Sequence, residues 1–272
     1  EYDFRTFSKF LKTNTKRDFF EEEVKKIMGL PYDIMEESKD FIAFKNRLMN
    51  ISSLEPRSFS PDIFTKFKVP YDWNPDAHSE FFIEKLKEIL GSEYQRFLEV
   101  VGYLFVKGNP HNKLALLIGD GANGKSLLME LIAAIFTNSY AAVPLQEFSK
   151  EFGMQPLVGK RVNILSDLPL DSIDETGQIK AITGEDSVTI NRKFKEPITT
   201  KLECKIIGSG NRLPKVKDDS YAFWRRILII RLYKTFEGES KDSKLKEKLL
   251  NDHEGLEWFI YQSIQAYKKI QD

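Results

Sequence analysis

The residues with the clearest chemical potential are consecutive: Gly119-Asp120-Gly121-Ala122-Asn123-Gly124-Lys125-Ser126. They satisfy G-x-x-x-x-G-K-[ST], in which a glycine-rich turn lets successive backbone N–H groups converge on phosphate oxygens while the following helix N-terminus adds partial positive charge. Lys125 is then expected to span the β- and γ-phosphates of a nucleoside triphosphate, and the Ser126 hydroxyl to take a coordination position on Mg2+.

Hydrolysis needs more than a cradle. An acid at the end of a strand beside the phosphate turn can hold a metal-bound water or polarise the attacking one, and Asp167 closes the apolar stretch 161–167. A turn-forming role accounts for an isolated strand-end Asp equally well. Asp171, Asp174 and Glu175 are rivals, but they lie in a polar stretch where helix capping is the simpler reading. Asp174-Glu175-Thr176-Gly177 also fits D-x-x-G, yet no strand precedes it and no N-K-x-D follows. Asn211 ends a third apolar stretch, Ile206-Ile207-Gly208-Ser209-Gly210-Asn211. It could bond a γ-phosphate or its attacking water, although Gly-Asn by itself favours a plain turn. Cys204 lies among strand-forming residues and reads as a buried thiol. His78, His111 and His253 share no metal-ligand spacing.

These residues need strands to present them. Leu114-Ala115-Leu116-Leu117-Ile118 is a continuous apolar run of the kind buried on both faces of a parallel sheet, and a helix over 125–136 leaves the turn. Further strands are expected at 141–143, 162–165, 187–191, 204–208 and 227–232. Upstream, 17–28 shows helical spacing closed by Gly29 and Pro31. Pro56, Pro61, Pro70 and Pro75 mark an extended connection, and two helices follow at about 79–91 and 92–106. The tail, 243–270, reads as helical. The expected organisation is a helical N-terminal region with linker over 1–107, an α/β core over 108–236 and C-terminal helices over 237–272.

The chain has 272 residues, with 41 basic and 41 acidic side chains, so a uniformly basic nucleic-acid coat is excluded while local patches are not. At 41% hydrophobic and 30% charged it is a folded, well-solvated protein, not a disordered one. No apolar run approaches the roughly 20 residues of a membrane helix, so no membrane partner is expected. The first residue is Glu1, which suggests a piece of a longer polypeptide.

Taken in order, several segments resemble the superfamily 3 helicases, particularly the helicase module of phage, plasmid, archaeal-virus and poxvirus-type primase-helicases. They are the turn with Asn123 before Gly-Lys-Ser, Leu157-Val158-Gly159-Lys160-Arg161 leading into the acidic strand, Ile179-Lys180-Ala181-Ile182-Thr183-Gly184-Glu185-Asp186, Gly210-Asn211-Arg212-Leu213-Pro214, and Trp224-Arg225-Arg226-Ile227. The likeness runs from about Phe41 to Ile270. It implies an α/β fold: an AAA+-like P-loop ATPase core, its parallel sheet flanked by helices, with a helical N-terminal collar. It further implies ATP and Mg2+, a homo-oligomeric ring with a hexamer expected, single-stranded and forked duplex DNA as partner, 3′ to 5′ translocation, and a fused or associated primase. The expected location is the cytoplasm, that of the host cell for a viral or plasmid protein.

By the same resemblance Asp167 is the second acid of the Walker B strand, where many relatives carry Glu, and Asn211 is the polar sensor. Arg226 is the arginine supplied to a neighbouring subunit's site, with Arg225 the second candidate. The stretch 191–201 resembles the hairpin that enters the ring channel. Lys193 and Lys195 alternate about Phe194 there, so the hairpin is expected to show both lysines on one face for phosphates and Phe194 on the other for packing or stacking. The reading is an ATP-dependent DNA helicase. The alternatives are an origin-loading or switch ATPase that does not unwind, and a small-molecule phosphotransferase.

Overall fold

The computed structural model describes residues 38–60, 63–168, 176–217, 220–238 and 242–271. The chain divides into two units, Glu1–Ser38 with Ser60–Thr65 and Lys39–Phe59 with Lys66–Asp272, and all that follows belongs to the second. The helix expected at 17–28 and the rival acids Asp171, Asp174 and Glu175 lie outside the described residues.

A small antiparallel sheet comes first: β1 (Phe41–Ala43) and β2 (Leu48–Asn50), where the sequence shows short apolar alternation, and β3 (Pro56–Arg57), at the start of the proline-marked connection. Two helices follow, α1 (Glu80–Leu90) and α2 (Tyr94–Phe105). Ser79 caps α1, its hydroxyl accepting from the Phe82 amide, and Gly91 ends it at φ 52°. The central sheet contains β4 (Leu114–Ile118), β5 (Tyr140–Ala141), β6 (Val162–Leu165), β9 (Lys205–Gly210) and β10 (Ile227–Arg231). Its order is β10-β4-β9-β6-β5, and every pairing is parallel. Between β4 and β5 runs α3 (Lys125–Ile135), and α4 (Gly177–Thr183) follows β6. The separate hairpin comprises β7 (Ser187–Arg192) and β8 (Lys195–Lys201). The chain ends with α5 (Tyr221–Trp224), α6 (Leu245–Asn251) and α7 (His253–Lys269).

The apolar run of β4 explains the layering. Ala115 and Leu117 point into a core shared with α1, α2, α3 and α7, whereas Leu114, Leu116 and Ile118 point into a second core with Ile179, Ile190 and Phe223. A strand covered on both faces has no polar face to show, hence its lack of alternation. Among the described residues the C-terminal helices are two, α6 and α7. At the break Asp252 caps α7, its carboxylate accepting from the Gly255 amide at 2.8 Å, and its other oxygen accepts from the Ser79 hydroxyl at 2.6 Å, which ties the cap to the start of α1. No helix among the described residues is long and apolar enough to cross a membrane.

Candidate active site

The phosphate turn leaves β4 at its carboxyl end and enters α3 directly. Three neighbours fix it: the Gly119 amide donates to the Gly210 carbonyl at 3.2 Å, the Leu232 amide to Ile118 at 2.8 Å, and the Phe236 amide to Ala122 at 2.7 Å. Ala122 is left-handed at φ 56° and Gly124 at φ 85°. A side chain at Gly124 would also come within 2.8 Å of Ile89 Cγ2, so glycine is required there on two counts. Nothing lies within 4 Å of where a Cβ on Gly121 would stand, and the crest of the turn is open.

Lys125 is folded back into this turn. Its Nζ donates to the carbonyls of Gly119 and Asp120 and, at 2.8 Å, to Asn123 Oδ1. Burial holds its ammonium below the usual lysine range, and the carboxylates of Asp120 and Asp167 oppose that shift. Asn123 is buried, and its Nδ2 donor has no partner among the described residues. A strained loop with a buried cation and an orphaned donor is suited to an anion with several oxygens.

Strand order brings the other two candidates to the same place. β9 lies between β4 and β6, and Asn211 and Asp167 follow the carboxyl ends of β9 and β6. Ser209 locks the two ends together: its hydroxyl donates to the Ser166 carbonyl at 2.7 Å, and its own carbonyl accepts from the Leu168 amide at 2.7 Å. Asp167 and Asn211 are both exposed. The turn, Ser126, Asp167 and Asn211 border one cleft of about 490 Å³, within the range of about 300–1,000 Å³ usual for small-molecule sites. Ser126 and Asp167 both line this cleft and carry oxygens of the kind Mg2+ binds, a cation that takes further ligands from phosphate and water. Among the described residues no cluster of three or more His, Cys, Asp or Glu could hold a metal on its own.

Arg226 stands elsewhere. It precedes β10, and its carbonyl accepts from the Leu114 amide at 2.9 Å, at the amino end of the sheet. The length of β10, five residues at about 3.3 Å each, separates it from the turn of its own chain. Its Nε donates to Thr183 Oγ1 at 3.1 Å and its terminal nitrogen to the Ala222 carbonyl. Thr183 is fully buried and donates in turn to Ile179 at 2.6 Å. Arg225 is exposed, its carbonyl accepting from Lys113.

The hairpin expected at 191–201 is present, but Lys193 and Lys195 do not alternate along one strand. Arg192 pairs with Lys195, so Lys193 and Phe194 form the two-residue turn and do not continue either strand. Lys193 and Lys195 therefore do not share one face by strand periodicity. Phe194 takes φ 62°, a conformation unfavourable for a bulky side chain, and is 95% exposed. Lys193 Nζ lies 5.3 Å from its ring centroid.

Three features escaped the sequence reading. Arg231 ends β10 in register with Ile118, beside the turn; an apolar strand finishing in arginine is visible in sequence, but its neighbour is not. Thr183 holds Arg226. Glu185, left-handed at φ 58°, accepts from the Asn109 amide and docks the entry to the hairpin on the segment preceding β4.

Residues 117–226 match a family of unknown function, DUF5906. A helicase-named protein of Acanthamoeba polyphaga mimivirus, L207/L206, is 25% identical over 300 aligned residues that cover 96% of this chain and 31% of the relative. A second, 184R of Invertebrate iridescent virus 6, also named as a helicase, is 26% identical over 239 residues, 79% of this chain and 24% of its own length. This chain thus spans about a third or less of these curated relatives. Among solved structures, the apo A form of the NrS-1 C-terminal region superposes with a TM-score of 0.57 at 17% identity, over 92% of this chain and 62% of that one. A second structure of that region, residues 305–718, gives 0.56 at 16% identity over 94% and 66%. The chain has that α/β fold, a five-stranded parallel sheet flanked by helices as in P-loop ATPases.

Proposed function

We propose that this module is the ATP-driven motor of a DNA helicase of the superfamily 3, AAA+-like type, working as a homo-oligomeric ring, a hexamer in the family's usual form. The observation that carries the reading is the convergence of the phosphate turn, Asp167 and Asn211 on one cleft at the carboxyl ends of three adjacent parallel strands.

In this mechanism Lys125 exchanges its three loop oxygens for the β- and γ-phosphate oxygens of ATP, which draw the ammonium more strongly because they are charged. Gly121 to Gly124 offer backbone N–H groups around the same oxygens. Ser126 and Asp167 hold Mg2+, which when bound neutralises charge on the phosphates. Asp167 accepts a proton from the attacking water and Asn211 orients it, the γ-phosphoryl group passing to water with ADP leaving. Arg226 cannot serve its own subunit's nucleotide across the length of β10, so it completes the site of a neighbour, with Arg225 beside it. The strained, exposed Phe194 offers a face to a base, and Lys193 and Lys195 contact the phosphates of single-stranded DNA in the ring channel, ahead of a forked duplex. Translocation runs 3′ to 5′, a primase lies on the same polypeptide or an associated one, and the module works in the host-cell cytoplasm.

Hydrolysis measured with and without single-stranded DNA tests this. Wild type is stimulated by DNA; Lys193→Ala with Lys195→Ala keeps basal hydrolysis and loses the stimulation. Arg226→Ala and Lys125→Ala chains, each inactive alone, regain hydrolysis when mixed. Hydrolysis indifferent to DNA, with no recovery on mixing, contradicts the proposal and fits a phosphotransferase instead.

A further inference from the structure

The last strand of the sheet carries an arginine at each end, and only one of them has been given a role. Arg226 precedes β10 at the amino end of the sheet, held by Thr183 and Ala222. Arg231 closes β10 opposite Ile118, the residue before the phosphate turn. A second cavity, of about 200 Å³, opens there between Gly119, Asp120, Asn211, Arg231, Tyr233 and Thr235. It shares Asn211 with the larger cleft, so the two are neighbouring compartments across the top of β4.

Its chemistry favours an anion. Arg231 is exposed and makes no hydrogen bond or ion pair with another described residue. The walls add the Asn211 amide and the hydroxyls of Tyr233 and Thr235 as uncharged donors, against the single carboxylate of Asp120. Approach from β10 also leaves the attack side clear, because Asp167 belongs to β6, on the other side of β4 in the order β10-β4-β9-β6.

We propose that Arg231 acts in cis, binding the terminal phosphate of a nucleoside triphosphate held on its own subunit's turn, and so makes the site discriminate triphosphate from diphosphate. This rests on the nucleotide reading above. A guanidinium reaches two phosphate oxygens at once and carries its charge at every working pH, whereas ADP lacks the group it would bind.

Calorimetric titration with a non-hydrolysable ATP analogue and with ADP, both with Mg2+, tests the inference. Wild type is expected to prefer the analogue. Arg231→Met, which keeps the aliphatic stem, weakens the analogue by about tenfold or more while ADP changes by less than about twofold; Arg231→Lys falls between. An unchanged ratio of the two affinities, or equal losses for both nucleotides, overturns the proposal while leaving the nucleotide reading intact. If wild type binds neither nucleotide, that reading fails and this inference with it. The cis assignment has its own readout. Mixing Arg231→Met with Lys125→Ala chains restores no hydrolysis, since neither chain has both groups. Restoration would place Arg231 across a subunit boundary and refute a cis role.

Discussion

Two lysines lie at opposite ends of the parallel sheet, and on burial alone they look alike. Lys125 starts α3 at the carboxyl end and Lys205 starts β9 at the amino end; both are buried, neither forms an ion pair with another described residue, and burial lowers the pKa of each. Their surroundings separate them. Lys125 is held by three oxygens of a strained, open turn that borders a cleft of about 490 Å³. Lys205 donates to the Val106 carbonyl and lies 5.1 Å from the Tyr103 ring centroid, and it lines neither of the two cavities at the carboxyl end of the sheet. Its pKa is lowered to about 7 by burial and by Arg161, against the opposing pull of Cys204, Glu203 and Glu185. A perturbed pKa therefore marks a site only where there is room for a ligand and bonds that a ligand can replace.

The largest expected effect breaks the comparison if it fails. Lys125→Ala lowers ATP hydrolysis by about 100-fold or more and leaves the unfolding midpoint close to wild type, whereas Lys205→Met leaves hydrolysis within about twofold. Reversed results would mean the two lysines had been assigned the wrong way round.

The next effect belongs to Lys205 and is read from stability against pH. An unfolded lysine keeps its proton to about 10.5, while folded Lys205 gives it up near 7. Between those values the unfolded chain binds the extra proton, so stability rises with pH, by at most about 1.4 kcal/mol per unit. Above about 9 the Cys204 thiol opposes this. Its folded pKa is pushed up to about 12 by burial, so the unfolded chain loses that proton first and stability falls. Urea unfolding from pH 7 to 9 is expected to show the rise in wild type and a flatter profile in Lys205→Met, which is also the more stable of the two at pH 6. An equal slope in both proteins would locate the titrating group elsewhere.

Much of the contrast was hidden in the sequence for physical reasons. The phosphate turn, β4 and the acidic strand were legible because local spacing encodes them. The strand order that seats Asn211 between the turn and Asp167 was not, since parallel strands find neighbours through long crossovers. For the same reason the place of Arg231 beside the turn, and the burial of Lys205, could not be read from the order of residues along the chain. The contact of Asp252 with Ser79, far away in sequence, was equally hidden. The hairpin was legible, but its turn fell on Lys193 and Phe194, where residue preference would have placed glycine or asparagine.

That turn supplies the smallest expected effect and extends the comparison to a third kind of residue, one neither buried nor partnered by a core. Phe194→Gly removes an unfavourable left-handed conformation and is expected to raise stability by about 0.5–1 kcal/mol in urea unfolding. The same change weakens stimulation of hydrolysis by single-stranded DNA. Lower stability with unchanged stimulation would make Phe194 a packing residue.

The central claim is that nucleotide hydrolysis at the Lys125 turn separates DNA strands. Strand displacement on a tailed duplex, with wild type and Lys125→Ala side by side, tests it most directly. The account predicts displacement by wild type that requires both ATP and Mg2+, and none by the variant. Hydrolysis without displacement by wild type, or equal displacement by both proteins, would contradict it.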